Sequence, residues 1–224
     1  MNECIRQIEA YAQEIMCQCE IAHDYKHVDR VRRWALRIAE AEGYQHLDQV
    51  QAAALLHDIG LLHGRAGHGP RGAEMAAQFL RENALFSAPE IVEITGAIRN
   101  HTSLDGDGTL ALILRDADIL DLLGPVGIMR AFTSKAAQPE YLPDNVKGDT
   151  WGITAVAVTE RFTAGQGIGP TIVDHLNFQI SCYENLRTPS AREWARPLQA
   201  YMQSFLCELE NQILRMSFRT ESAK

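Results

Sequence analysis

No window of this sequence approaches the ~18 consecutive apolar residues that a membrane-spanning helix needs. The N-terminus, charged at Glu3, Arg6 and Glu9, lacks the apolar stretch of a secretory signal. No run alternates apolar and polar residues with a strand's period, and no internal repeat is found. Lysine and arginine form no stripe. With 21 basic against 29 acidic residues, a net charge of -8 and a pI near 5.5, the chain offers nothing for a polyanion to follow, which argues against polymeric nucleic acid as a partner. Cysteine is scarce and odd in number: Cys4, Cys17, Cys19, Cys182 and Cys207 lack the paired spacing of a zinc ribbon and fit a reducing compartment. Cys17-Gln18-Cys19 reads as one core and one exposed thiol. These absences describe a cytoplasmic protein that neither crosses nor binds a membrane. They leave open a small phosphorylated ligand, because a metal ion neutralises phosphate locally even in an acidic chain.

What is present is enough apolar material for a sizeable core, 46% of 224 residues, arranged with helical spacing. Ile5, Ile8, Ala12, Ile15 and Cys19 predict a helix over about 2–20. Val28, Val31, Ala35, Ile38 and Ala39 predict a second over about 27–42, with Asp24 as its N-cap, His27 in its first turn and Gly43 to close it. A third, about 48–58, is the apolar run Ala52-Ala53-Ala54-Leu55-Leu56 ending in His57-Asp58-Ile59-Gly60, with Gly60 in the left-handed conformation that stops helices. Gly60 to Gly72 reads as a glycine-rich loop carrying His63, Arg65, His68 and Arg71, followed by a helix over about 71–84. Pro89 opens the next, with Ile91, Ile94, Ala97 and Ile98 as its buried stripe up to Asn100-His101. The loop Leu104 to Gly108 precedes a helix over about 109–122 with acidic groups at Asp116, Asp118 and Asp121. Residues 134–152, with Pro139, Pro143 and Gly148, read as a mobile loop near a site opening. Two further helices, about 170–187 and 191–215, flank the turn Thr188-Pro189-Ser190. The fold class is all-α.

His57 and Asp58 stand side by side where the pattern otherwise calls for core, and together they can lean toward an ion that neither could hold alone. Taken with His27 and Asp118, they would come from the converging ends of separate helices, which is how helical bundles build metal sites. The text His27-Val28-Asp29-Arg30-Val31, then Leu56-His57-Asp58-Ile59-Gly60, then Ala117-Asp118-Ile119-Leu120, resembles the HD-domain superfamily of metal-dependent phosphohydrolases over roughly residues 20–130. The tail resembles the C-terminal helices of small bacterial HD hydrolases. The resemblance implies a single HD domain over 1–224, with a core at about 20–130 and a helical extension at about 151–215.

It also implies a ligand set. His27, His57, Asp58 and Asp118 would bind a divalent ion, the A-D-x-L setting favouring Asp118 over Asp116. His68-Gly69-Pro70-Arg71 and Asn100-His101-Thr102 resemble the branch in which two further histidines complete a dinuclear centre, as in bacterial HD hydrolases of diadenosine tetraphosphate, with Asp58 bridging. The other reading is a solvated His68 and a single ion. His46, His63 and His175 are taken as surface and tail residues. The chain lacks the lysine and the G-Y-P text of the cyclic-dinucleotide-cleaving branch.

The implied activity is hydrolysis of a small phosphorylated substrate, in the first instance a nucleotide, by attack of metal-bound hydroxide, with Asp58 as the central catalytic residue. The cofactor would be one or two divalent ions, Fe or Mn favoured, with Mg, Ni and Zn admissible for mixed imidazole and carboxylate donors. Arg30, Arg65 and Arg71 are the cations available to hold substrate phosphates. Two other classes share this text: an HD-type diiron oxygenase and a non-catalytic nucleotide-sensing module. Base specificity and oligomeric state are not legible in the sequence.

Overall fold

The computed structural model describes residues 2–103 and 108–217, and among these are ten α-helices and no strand. The fold is all-α. Leu104, Asp105, Gly106 and Asp107, expected as a loop, lie outside the described residues. The chain divides into two compact units, Met1–Asp121 with Leu186–Glu193, and Leu122–Asn185 with Trp194–Lys224.

The first unit is built around α3 (Leu47–Leu56), which is buried on nearly every side from Gln49 to Leu56. A helix apolar all round can only sit inside others. Packed around it are α1 (Glu3–Met16), α2 (Tyr25–Ala41), α4 (His68–Glu82), α5 (Ala88–Asn100) and α6 (Thr109–Asp121). Each of α1, α2, α4 and α5 turns a stripe inward, as α2 does with Val28, Val31, Ala35, Ile38 and Ala39. The ends are set by local chemistry. Asp24 accepts the Lys26 and His27 backbone N–H groups at 3.0 and 3.3 Å, fixing where α2 begins. Gly43, at φ +73, closes it. Ser87 and Glu90 form a reciprocal capping box at the start of α5, with Pro89 in its first turn.

Three expectations are corrected here. Gly60 is not left-handed; the chain beyond Asp58 tightens into a 3-10 turn, Ile59–His63, and the left-handed breaks come at Gly64 and Gly67. Glycine is needed at 60 for a different reason, since a Cβ there would lie 2.1 Å from the His68 carbonyl oxygen and 2.6 Å from the Gly72 nitrogen. The helix after this turn begins at His68 rather than near 71, so His68 belongs to a helix end and not to a loop. Its neighbour Gly69 lets the start of α4 cross the end of α5, where a Cβ would meet the Arg99 carbonyl oxygen at 2.8 Å.

In the second unit, α7 (Gly124–Ser134) and α8 (Ala155–Thr163) are helices that the spacing of apolar residues did not announce. Pro125 occupies the first turn of α7, where its missing N–H is no loss. The segment between α7 and α8 is not the mobile connection expected from its prolines. It is fastened to α9 (Ile172–Ser181): Ile172 and Val173 donate their backbone N–H groups to the carbonyls of Pro139 and Glu140. Asp174, fully buried, accepts from the backbone N–H and hydroxyl of Thr150 and from the hydroxyl of Thr171. Asn177 donates to the Lys147 carbonyl at 2.8 Å. The last helix, α10, spans Pro189–Ser217.

Gly60 and Gly96 should respond in opposite directions to an added methyl group. Gly60→Ala forces two backbone atoms apart and is expected to destabilise the protein by ~3 kcal/mol or more. Gly96→Ala, inside α5 with nothing within 4 Å of its added methyl, is expected to stabilise by ~0.5–1 kcal/mol. Urea unfolding midpoints of the two variants check both signs.

Candidate metal centre

Six side chains gather in the first unit where α3, α5 and α6 end and α2 and α4 begin. His27 projects from the first turn of α2, His57 and Asp58 from the end of α3, His68 from the first position of α4, His101 from the residue after α5, and Asp118 from the last turn of α6. His27, His57, Asp58 and His101 are buried, whereas the Asp118 side chain is 25% exposed and marks the open side.

Each ring is oriented through its Nδ1. His57 donates to the Ala54 carbonyl at 2.8 Å, His68 to Arg65 at 2.8 Å and His101 to Ile98 at 2.7 Å. A carbonyl can only accept, so these contacts place a proton on Nδ1 and, whenever the ring is neutral, leave the lone pair on Nε2. His27 Nδ1 likewise faces the Asp121 carboxylate at 2.7 Å. The consequence is an electrostatic conflict. The Nε2 atoms of His27 and His57 stand 3.3 Å apart, and those of His68 and His101 stand 3.1 Å apart, acceptor against acceptor. Neutral rings so placed call for a metal ion or a proton between them, and without metal a proton on His57 Nε2 supplies that charge.

Asp58 divides its two oxygens between the pairs. Oδ2 lies 3.3 Å from His27 Nε2 and 3.4 Å from His57 Nε2, while Oδ1 lies 3.4 Å from His68 Nε2 and 3.5 Å from His101 Nε2. Asp118 Oδ1 adds a contact of 3.6 Å to His27 Nε2. Donors about 2.1 Å from one ion, separated by angles between a right angle and a tetrahedral one, stand about 3.0–3.4 Å from each other. Five of the observed spacings fall in that range, and those of His101 to Asp58 and His27 to Asp118, 3.5 and 3.6 Å, lie just beyond it. Two groups can hold a metal, His27 with His57 and Asp118, and Asp58 with His68 and His101. Burial would lower the pKa of His57, but the Asp58 carboxylate beside it outweighs that effect and raises it to about 9. Asp58 shows the converse: burial opposes its charge, and the His57 imidazole with the surrounding histidines holds it well below the ordinary carboxylate range.

The structure also sorts the remaining candidates. Asp116 accepts the backbone N–H groups of Arg187 and Thr188 and the Thr188 hydroxyl, so its carboxylate fastens the 186–193 segment and faces away from the histidines. Arg30 is directed at Asp121. Arg71 braces the turn before α4 by donating to the carbonyls of Gly64 and Ala66, and Arg65, largely exposed, meets Glu20. His46 and His63 are exposed. Two neighbours of the centre went unassigned in the sequence reading. His23 lies beside His27, ring centroids 5.6 Å apart, and pairs with Glu20. Asp121 backs His27; its spacing of three residues from Asp118 on α6 was the available signal.

Residues 24–123 match the model of the HD domain family, a segment that contains all six side chains. Residues 24–123 of this chain are an HD domain. Likeness in fold to solved structures extends beyond that segment. A protein from Lactobacillus plantarum is 23% identical over 95% of this chain and 97% of its own, with a TM-score of 0.70. Bacillus subtilis YpgQ in complex with ADP is 21% identical over 94% and 95%, at 0.63. A protein from an uncultured Thermotogales bacterium, described as a predicted HD superfamily hydrolase, is 25% identical over 92% and 91%, also at 0.63. No curated protein matches the sequence. No described helix of the HD-domain chain is long and apolar enough to cross a membrane.

The two neighbouring aspartates of α6 separate experimentally. Asp118→Asn is expected to reduce bound metal with little change in stability. Asp116→Asn should keep the metal but cost about 1.5–3 kcal/mol, because an amide would turn donors toward the donors of Arg187 and Thr188. Metal content and unfolding midpoint, measured on both, check the assignment.

Proposed function

We propose that this protein is a metal-dependent phosphohydrolase acting on a small phosphorylated substrate, with nucleotides as the first class to test. The observation that carries the reading is the division of Asp58 between two histidine pairs, each already presenting its Nε2 atoms inward. A divalent ion bound by these residues would polarise a phosphoryl oxygen and acidify water, which are the two needs of phosphate ester or anhydride hydrolysis. The residues themselves supply preorganisation. Backbone carbonyls hold three of the rings, so little rotamer freedom remains to be lost when a ligand is bound. Burial of His57, Asp58 and His101 lowers the local dielectric, while the exposed edge of Asp118 leaves one side open to solvent.

Six imidazole and carboxylate donors suit Fe or Mn, with one or two ions per chain, and admit Mg, Ni and Zn. With a net charge of -8 the chain itself repels phosphate, so neutralisation at the site falls to the ions. Support for a nucleotide comes from the YpgQ crystal structure, which holds ADP on the same fold. Arg65, the most exposed of the three candidate arginines, is the one best placed to exchange its carboxylate partner for a phosphate.

The test is release of inorganic phosphate or pyrophosphate from a panel of nucleoside mono-, di- and triphosphates, dinucleoside polyphosphates and simple phosphate esters, after chelation and readdition of Mn or Fe. Activity should vanish on chelation and return with the metal. Asp58→Ala should lower the rate by about 1000-fold, equivalent to ~4 kcal/mol of barrier, with circular dichroism unchanged. Hydrolysis at the original rate by that variant overturns the site, and iron-dependent oxygen uptake without phosphate release replaces the reaction class.

A further inference from the structure

The four histidines of the centre are held in two different ways. His57, His68 and His101 donate Nδ1–H to uncharged carbonyls, whereas His27 donates to a carboxylate, Oδ2 of Asp121 at 2.7 Å. Asp121 is 1% exposed and closes α6 one turn beyond Asp118. Arg30, one turn beyond His27 on α2, donates to the same carboxylate through Nε at 2.7 Å and Nη2 at 3.0 Å. So α2 contributes a ligand and a guanidinium, and α6 contributes a ligand and the carboxylate that joins them. A two-point guanidinium contact fixes the carboxylate in direction.

A carboxylate behind a ligating imidazole orients the ring and raises the donor strength of the opposite nitrogen; a neutral carbonyl supplies the first effect with far less of the second. The asymmetry falls on one side only. The position bounded by His27, His57 and Asp118 has a carboxylate-backed histidine and a carboxylate of its own. The position bounded by His68, His101 and Asp58 has two carbonyl-backed rings and shares its only carboxylate with the first.

We propose that Asp121, held by Arg30, is a positioning residue that ranks the two ion positions, so that the one at His27, His57 and Asp118 fills first and the one at Asp58, His68 and His101 fills second. The inference rests on reading the site as a metal centre, and it deepens that reading by assigning an order of loading to residues outside the ligand set.

Metal-free protein titrated with Mn²⁺ in competition with a chelating dye reads the order directly. The wild type should take up two ions in two resolved steps. Asp121→Asn should weaken the first step by about 10–100-fold, leave the second unchanged and keep the helical circular dichroism. Loss of packing alone would weaken both steps together, which would overturn the proposal. In a His27→Ala background Asp121→Asn should weaken binding no further, because the carboxylate acts through that ring. A full additional loss there would also overturn it. Asp121→Glu should recover part of the affinity. If Asp121→Asn does not fold, Arg30→Gln leaves the carboxylate in place but unheld, and the first step should weaken several-fold; an unchanged first step refutes the ranking. A wild type that binds in one step refutes it too, whereas a wild type that binds no divalent ion removes the metal-centre reading itself.

Discussion

Two imidazole nitrogens held face to face need a proton or a metal ion between them, and this fold creates that situation twice, at 3.3 and 3.1 Å. The rings cannot turn away, since carbonyls at Ala54, Arg65 and Ile98 and the carboxylate of Asp121 hold their other nitrogens. Much of the first unit serves to bring these rings together. A helix apolar on nearly every side delivers His57 and Asp58 to the interior, and helices of ordinary amphipathic pattern close around it. Asp58 then sits where one residue can answer both pairs.

The two pairs are assembled by different means. His27 and His57 meet because α2 packs along α3, an ordinary contact between apolar stripes. His68 and His101 meet because the start of α4 passes the end of α5 and the turn at Gly60 at distances that leave no room for a methyl group. Backbone geometry, and not side-chain packing, is therefore the specification of the second pair. It also explains why the helix begins at His68: the chain has to turn at Gly64 and Gly67 before it can run close beneath Gly60.

Much of this was legible in the sequence, and the reasons for the misses are physical. The six candidate ligands came from short motifs whose residues do come together. Helices α1, α2 and α5 announced themselves through three- and four-residue apolar spacing, a signal created by burial on one face, and α3 through an unbroken apolar run. By contrast α7 opens on Gly124-Pro125, and a proline in a first turn looks in sequence like a proline that ends a helix. The 134–152 segment looked mobile because its anchors, Asp174 and Asn177, lie 24 and 30 residues from their partners and carry no local signature. The arginines illustrate the same limit. Their charge was visible, but that Arg71 would spend it on two carbonyls and Arg30 on Asp121 depends on tertiary placement. Asp121 stood in plain view on α6, yet only its distance from His27 distinguishes it from an exposed acid.

The helix ends at the centre carry a further consequence. The C-termini of α3, α5 and α6 all arrive there, and each bears roughly half a negative charge from its aligned peptide dipoles. The N-termini of α2 and α4 bring charge of the opposite sign, and Asp24 caps one of them. The backbone is thus part of the electrostatic field at the site, with a small bias toward cations that belongs to no side chain. Substitution can delete a donor atom from this centre, but it cannot delete a helix end. Any descendant of this fold that lost its histidines would still keep an interior that draws positive charge.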